Sequence, residues 1–216
     1  MPATPPTRPR GRPRGGGNNA EQARALLMDA AERSILSRGF QASRMDLIAR
    51  EAGYSRAAMY RHFPNRRSLL EALVQRTTGR YQLSIADRLP ADAGLAEILV
   101  ESLVIVATEL IHDPLLKTIS EQAEEGLVAK LVAGNPDLPL MVEAMLSASD
   151  DGLLRPGLQP GDVGQYVVST AVALLLGVIP GSAHPDTARR YIETFVLPAI
   201  FVQPPQPQPV YAEPPR

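Results

Sequence analysis

Residues 45–63 read MDLIAREAGYSRAAMYRHF, a pattern that predicts two short helices separated by a tight turn. Helices that cross steeply with almost no linker need a small residue where they approach each other. They also need a residue that tolerates positive φ in the turn. Ala49 and Gly53 meet these needs, with Gly53 four residues after Ala49 and Met59 six residues after Gly53. This spacing predicts a helix-turn-helix.

The second helix of this unit has one apolar side and one polar side. Met59 and Phe63 are expected to face inward, which leaves the opposite side free to enter a DNA major groove. Arginine there can donate to guanine or phosphate, a tyrosine hydroxyl can donate to phosphate, and an alanine methyl can touch thymine. An ordinary solvated helix surface remains the alternative for several of these side chains. The predicted DNA-contacting residues are Ser55, Arg56, Ala57, Tyr60, Arg61 and His62.

Two neighbouring helix starts carry further candidates for phosphate contact. Ser43 is predicted to cap the first helix of the unit, and Arg44 follows it. Arg66 and Arg67 open the helix that follows, behind Asn65 as its predicted cap. Free N–H groups and the helix dipole favour an anion at such positions. Ser43, Arg44, Arg66 and Arg67 are therefore predicted to bind the DNA backbone.

The charge of the chain is divided between its two parts. Residues 1–80 hold 15 Arg and 6 Asp or Glu, a net charge of +9, whereas residues 81–216 have a net charge of −10. Clustered cations are what a protein needs to neutralise phosphates. The division indicates that only the N-terminal part meets a polyanion.

Both ends of the chain are predicted to be disordered. Residues 1–19 are rich in Arg, Pro and Gly, and residues 203–216 form a loose Pro-rich tail. Within the first segment, Gly11-Arg12-Pro13 resembles an AT-hook, so Arg10, Arg12 and Arg14 are candidates for a narrow minor groove. A flexible basic arm that only screens phosphates is the alternative.

The N-terminal region resembles the DNA-binding domain of the TetR (tetracycline-repressor) family over roughly residues 20–75. The shared marks lie in LLMDAAERSILSRGFQASRMDLIAREAGYSRAAMYRHFPNRRSLLEALV. Met45 and the Arg66-Arg67 pair depart from the usual family residues without touching a defining position. The marks are Gly39-Phe40, Ser43, Ile48-Ala49, Ala52-Gly53, Tyr60, His62-Phe63 and Leu69-Leu70.

No alternating strand pattern of any length follows residue 90, and helical periodicity continues to about residue 202. Helices are predicted over 95–112, 114–126, 127–133, 137–153, 162–178 and 185–202, with a kink at Pro198. We therefore predict an all-α protein with an N-terminal helix-turn-helix three-helix domain and a C-terminal helical ligand-binding and dimerisation bundle. The predicted DNA-binding domain spans residues 20–80, and the bundle spans 81–202.

The resemblance implies that the second domain dimerises through its last two helices and binds a small molecule. Val167, Ala171, Leu174, Leu175 and Val178 form an apolar stripe that could meet Tyr191, Phe195 and Ile200 across a two-fold axis; intramolecular core is the alternative. A pocket with few charges would suit a small hydrophobic effector. Its predicted lining is Leu99, Leu103, Val106, Leu116, Ile119, Leu127, Met141 and Met145, each of which also fits ordinary core.

Other classes of function find little support in the residues. The chain has no cysteine, so thiol catalysis and thiolate-bound metals are excluded. No clustered catalytic residues are recognisable, and we predict no catalytic site, metal or cofactor. The N-terminus has no apolar signal and no run is long enough for a membrane span, so we expect a cytoplasmic protein.

These expectations combine into one mechanism. A homodimer would bind a palindromic operator on double-stranded DNA, and an effector would change the angle of the helix from Asn65 to about Arg80 and so release DNA. Repression is a hypothesis at this point. A nucleoid-type DNA-binding protein and a small-molecule enzyme on a helical scaffold are the rival classes.

Overall fold

The computed structural model describes residues 20–149 and 152–211, and within them the chain is helical, apart from an isolated bridge between Leu154 and Phe201. The predicted all-α class is confirmed. Arg10, Arg12 and Arg14 of the predicted arm lie outside the described residues. The α-helices are α1 Ala20–Arg38, α2 Met45–Glu51, α3 Arg56–His62, α4 Arg66–Arg88, α5 Leu95–Thr108, α6 Pro114–Gln122, α7 Leu127–Ala133, α8 Asp137–Ser147, α9 Pro160–Leu175, α10 Pro185–Tyr191 and α11 Leu197–Ile200. A 3-10 turn, Leu110–His112, precedes α6, and a π-helical segment, Ile192–Val196, joins α10 to α11.

Side-chain caps begin α3 and α4, whereas the cap predicted for α2 is absent. The Ser55 side chain accepts from Ala58 N–H and caps α3, and Asn65 and Ser68 form a capping box that begins α4. The predicted cap of α4, Asn65, is confirmed. Ser43 is not the cap of α2, because its side chain is only 2% exposed and its hydroxyl donates to the carbonyl of Gly39 at 2.8 Å.

The turn between α2 and α3 contains the glycine that the spacing predicts. Gly53 has φ +77°, a backbone conformation that residues with a Cβ adopt at a cost. Ile48 and Met59 on either side of the turn are buried. Burial on both sides of this turn thus holds α2 and α3 together.

Helix α4 is longer than predicted, since it continues past residue 80 to Arg88. The proposed boundary between residues 80 and 81 therefore falls inside one continuous helix. The N-terminal part of α4 packs with α1–α3, and its C-terminal part reaches the helices that follow. One rigid element thereby belongs to both halves of the molecule.

The buried apolar residues form two cores that do not follow the predicted domain boundary. The first core contains α1–α4 together with Leu115, Leu116 and Ile119 of α6 and part of α7. The second core contains residues of α5, α8, α9, α10 and the C-terminal helical segments. Helices α6 and α7 therefore pack with the DNA-binding helices, although they lie far along the chain.

The predicted single helix over 185–202 is interrupted before Pro198. Proline has no N–H to donate to the carbonyl four residues earlier, and π-helical hydrogen bonding occupies the preceding turn, Ile192–Val196. Helices α6 and α8 also end earlier than predicted, at Gln122 and Ser147, whereas α7 ends at Ala133 as predicted.

The first part of the C-terminal segment packs on the protein, contrary to the prediction of a loose tail. Thr194 Oγ1 receives a hydrogen bond from the N–H of Gln208 at 3.1 Å and donates to the carbonyl of the same residue at 3.2 Å. Val210 is buried. A run of prolines carries little backbone entropy to lose, which favours this docking.

The residues predicted for the dimer interface divide into buried and exposed ones. Val167, Leu174 and Ile200 are buried in the second core of their own chain, so the intramolecular alternative holds for them. Phe195 is 52% exposed and Tyr166 is 39% exposed. The apolar surface that α9 and the last helices leave uncovered therefore includes Phe195 and Val178, which were predicted for the interface, and Tyr166, which was not.

Among the described residues, no helix combines the length and apolar character that crossing a lipid bilayer requires.

Candidate functional site

Helix α3 exposes to solvent the side that the sequence predicts to contact DNA. Met59 is buried in the first core, Ala58 is also buried, and Phe63 immediately after the helix is fully buried. These three anchors fix the rotation of the helix about its axis. The side chains that are consequently exposed are Ser55, Arg56, Ala57, Tyr60 and Arg61, whereas His62 is half-buried.

The exposed face of α3 carries unneutralised positive charge. Of the ion pairs between described residues, none includes Arg56 or Arg61. The Arg56 guanidinium lies 5.4 Å from the centre of the Tyr60 ring, a contact that orients both side chains on this face. The two arginines are thus available to an anion outside the protein.

Other arginines of the N-terminal helices are neutralised by neighbouring carboxylates. Arg76 contacts Asp29 at 2.6 Å and also Glu32, and Arg80 contacts Glu32 at 3.0 Å. Arg33 and Arg38 pair with Glu51 in the same way. The positive charge of the DNA-binding domain therefore does not spread evenly over its surface.

The four residues predicted to bind phosphate at helix starts occupy different environments. Arg44 and Arg67 are exposed and pair with Asp46 and Glu71, so each could exchange that partner for a phosphate. Ser43 points inward, and its hydroxyl lies 3.0 Å from that of Ser34. Its hydrogen-bonding capacity is used inside the domain.

Arg66 also faces inward rather than towards a DNA-binding surface. Its guanidinium lies 3.9 Å from the centre of the Phe40 ring and donates a hydrogen bond to the Phe40 carbonyl. Burial lowers the pKa of Arg66 from its ordinary value. This arginine connects α4 to the turn between α1 and α2, in contrast to the predicted phosphate contact.

Arg24, near the start of α1, contacts the C-terminal end of α3. Arg24 lies 4.5 Å from the centre of the Phe63 ring and donates to the carbonyl of His62 at 3.4 Å. That carbonyl lies at the end of α3, where the helix leaves acceptors without intrahelical donors. Arg24 was missed in the sequence because its partners lie almost forty residues away.

A largely apolar cavity opens between α4, α5, α8 and α9, with about 810 Å³ of space including the part open to solvent. None of the described residues that line it carries a charge. Of the predicted pocket residues, Leu99, Leu103, Val106, Met141 and Met145 line this cavity.

The remaining predicted pocket residues lie elsewhere. Leu116 and Ile119 are buried in the first core, and Leu127 packs against it. Their apolar period on α6 and α7 is real, but it faces the DNA-binding helices. The correction follows from which core α6 joins, a matter that periodicity alone does not decide.

The polar wall of the cavity comes from α4 and α5. Thr78, Tyr81 and Gln82 lie on one side of α4, and Ser102 adds a hydroxyl from α5. The Tyr81 hydroxyl lies 3.4 Å from Asp113 Oδ2 and can donate to it. Burial raises the pKa of Tyr81 and the negative charge of Asp113 raises it further, so the phenol stays protonated near neutral pH.

An exposed cationic recognition helix, held by a tight turn and joined by α4 to a body with an apolar cavity, defines a helix-turn-helix DNA-binding protein. Residues 27–73 match the family described as bacterial regulatory proteins, tetR family. The HTH-type transcriptional regulator SrpR of Pseudomonas putida is 27% identical over 169 residues, which cover 75% of this chain and 74% of SrpR.

Solved structures agree in fold. RolR, crystallised with resorcinol, aligns with a TM-score of 0.60 at 16% identity over 85% of this chain and 90% of its own. The repressor AlkX from a Dietzia strain aligns with a TM-score of 0.58 at 21% identity over 81% of this chain and 93% of its own. Residues 27–73 thus form a DNA-binding domain of the TetR type, and the chain is a DNA-binding transcriptional regulator similar to the regulators of that family.

Proposed function

We propose that this regulator is a homodimeric repressor that binds a palindromic operator and is released from it by an uncharged apolar effector. The observation that carries the proposal is the exposed face of α3, where Arg56 and Arg61 have no ion-pair partner among the described residues. The apolar cavity behind α4 supports the effector. Contact with the chromosome implies a cytoplasmic location.

Specific DNA contact is assigned to α3 and its neighbours. Arg56, Arg61 and Tyr60 are the base and phosphate contacts on the recognition helix, with Ser55, Ala57 and His62 beside them. Arg44 and Arg67 are backbone contacts at the edges of this surface, because both are exposed and can leave their carboxylate partners. Arg10, Arg12 and Arg14 remain proposed contacts of the N-terminal arm with the minor groove.

Dimerisation is assigned to the aromatic face of α9 and the last helices. Tyr166 and Phe195 expose large apolar surfaces, and Leu176 and Val178 extend them at the end of α9. Large exposed apolar patches mark association sites in proteins that are otherwise well packed. A two-fold axis through this face would present two copies of α3 to successive half-sites on one side of DNA.

The cavity favours an effector without charge. An ionised ligand would lose its hydration against apolar walls that offer no opposite charge, at a cost of several kcal/mol or more. Thr78, Tyr81 and Gln82 can each hydrogen-bond to one polar group on an otherwise apolar molecule. RolR was crystallised with resorcinol, and AlkX is implicated in n-alkane biodegradation. Resorcinol and n-alkanes are both uncharged molecules.

An effector in this cavity would act on DNA binding through α4. The helix lines the cavity with its C-terminal half and begins at Arg66, three residues after Phe63. A ligand that prefers one angle of α4 shifts the population towards it. The separation of the two recognition helices then no longer matches the operator, and the affinity for DNA falls.

Selection of binding sites from a random duplex pool at physiological salt tests the DNA-binding part of this proposal. We expect enrichment of a palindrome whose half-sites are centred about one helical turn, or a small multiple of it, apart. Retention on the palindrome at raised salt would separate specific from purely ionic binding. Enrichment of A·T-rich tracts alone would contradict the proposal and favour a nucleoid-type protein.

A panel of ligands of one chain length tests the effector class. We expect 1-decanol to raise the melting temperature, while decanoate and decylamine leave it unchanged, because only the uncharged molecule enters the cavity without unpaired charge. Ala171→Phe, which places a ring in the cavity lining, is the matched control and should abolish the shift. Equal stabilisation by decanoate, or stabilisation that survives Ala171→Phe, would contradict the assignment.

A further inference from the structure

Gln122, the last residue of α6, forms a clamp on the turn between α1 and α2. Its side-chain Oε1 accepts the N–H of Phe40 at 2.8 Å, and its backbone carbonyl accepts the side-chain amide of Gln41. Both bonds join residues more than eighty positions apart in the sequence. The turn leads directly into α2, the first helix of the DNA-binding unit.

The backbone of this turn accommodates the clamp through Gly39. Gly39 has φ +85°, and a Cβ at this position would lie 2.7 Å from Gln122 Oε1. A side chain at residue 39 would therefore push the Gln122 amide away from Phe40. At Gly53, whose φ is +77°, no atom lies within 4 Å of the corresponding position. Of these two turn glycines, only Gly39 is closely approached by another helix.

Phe40 is held from a second direction by Arg66 of α4, through the ring contact and the carbonyl described above. Phe40 is consequently contacted by a side chain of α6 and by a side chain of α4. The side chain of Phe40 is itself buried in the first core. Phe40 therefore ties the turn that leads into α2 to both α4 and α6.

The opposite end of α6 lies beside the cavity. Asp113 caps the helix by accepting the N–H groups of Leu115 and Leu116 at 3.0 and 3.1 Å, and it is also the acceptor for Tyr81. Tyr81 lines the cavity. Helix α6 thus connects a cavity residue at its first turn with the DNA-binding unit at its last residue.

We propose that Gln122 is a positioning residue that fixes the orientation of the helix-turn-helix relative to α6 and the cavity. Through its bond to Phe40, a displacement of α6 becomes a displacement of α2 and α3, in addition to any movement of α4. The proposal rests on the proposed function for its consequence on DNA, but the clamp and the orientation it sets can be measured without DNA.

Three single substitutions in the full chain separate the clamp from general stability. Gln122→Met keeps the length of the side chain and removes the acceptor, whereas Gln122→Glu keeps an acceptor oxygen. Glu121→Gln, next along the same helix, is the control for an exposed change, since Glu121 only pairs with Lys117 at 3.9 Å. All three are expected to leave the far-UV spectrum and the melting temperature close to those of the wild type.

Amide hydrogen exchange measures the clamp itself. We expect the Phe40 amide to exchange about tenfold faster in Gln122→Met, because it loses its acceptor, and at the wild-type rate in the other two variants. Unchanged exchange in Gln122→Met would overturn the clamp.

The orientation of the helix-turn-helix is measured by the distance between two spin labels. Because the chain has no native cysteine, the labels attach only to the introduced cysteines. Labels on Arg50→Cys in α2 and Asp186→Cys in α10, diluted with unlabelled protein, report the distance within one chain. We expect the distribution to broaden or shift in Gln122→Met and to recover in Gln122→Glu. A distribution identical to that of the wild type would overturn the positioning role, whereas failure to select an operator would overturn only the proposed function.

Discussion

Ile119→Ala is expected to lower the free energy of unfolding by about 2–5 kcal/mol, as truncation of a buried isoleucine does when the surroundings cannot collapse. Ile119 has 0% exposure and lies on α6 in the first core, which it shares with α1–α4. The cavity left by the substitution would border the DNA-binding helices. We therefore expect α1–α4 to lose amide protection, although the substitution lies far from them in sequence.

Ile192→Ala is the matched control for this prediction. Ile192 has the same side chain and the same 0% exposure, but it lies in the second core. Urea unfolding followed by far-UV circular dichroism gives the global cost of each variant, and native-state hydrogen exchange gives its location. Equal loss of α1–α4 protection in both variants would mean that the two cores open as one cooperative unit, against the division described above.

The division into two cores is where prediction from the sequence reached its limit. The helix-turn-helix depends on contacts within about twenty residues, so the spacing of Ala49, Gly53 and Met59 sufficed to place α2 and α3. The apolar period of α6 correctly indicated a buried side. It could not indicate which core receives that side, because this depends on packing between segments distant in sequence.

Charge and capping patterns failed at two positions for a related reason. Ser43 and Arg66 have the residue types that helix starts and phosphate sites prefer. Folding brings each of them next to a polar group of the α1–α2 turn, Gly39 carbonyl for one and Phe40 carbonyl for the other. These backbone carbonyls come within reach of the two side chains only in the folded state. The local sequence therefore cannot predict the hydrogen bonds.

The polar wall of the cavity was missed because α4 was expected to end near Arg80. Tyr81 and Gln82 then fell into a connection, and the predicted lining came only from α5 to α8. In the structure, Thr78, Tyr81, Gln82 and Ile85 follow helical spacing along one side of α4 and all line the cavity. Continuation of the same period beyond residue 80 was the available signal.

Arg56→Ala and Arg61→Ala are each expected to weaken binding to the selected operator about 10- to 100-fold, since a bidentate contact of arginine with guanine contributes about 1–3 kcal/mol. Both side chains are exposed, and alanine is compatible with a helix, so stability should change little. Equilibrium titration of fluorescently labelled operator measures the affinity. Arg155→Ala removes the same charge from an exposed residue that donates to Pro198 carbonyl in the C-terminal half, and it should bind as the wild type does.

The pattern of loss distinguishes two roles for each arginine. A base contact makes the penalty depend on the base pair at one operator position, and Arg56→Lys does not restore it, because lysine lacks the planar fork. A phosphate contact weakens all sequences alike and lowers the slope of log affinity against log salt by about one. The ring contact between Arg56 and Tyr60 restrains the guanidinium, which favours base contact for Arg56. Wild-type affinity in both alanine variants would exclude α3 as the recognition helix.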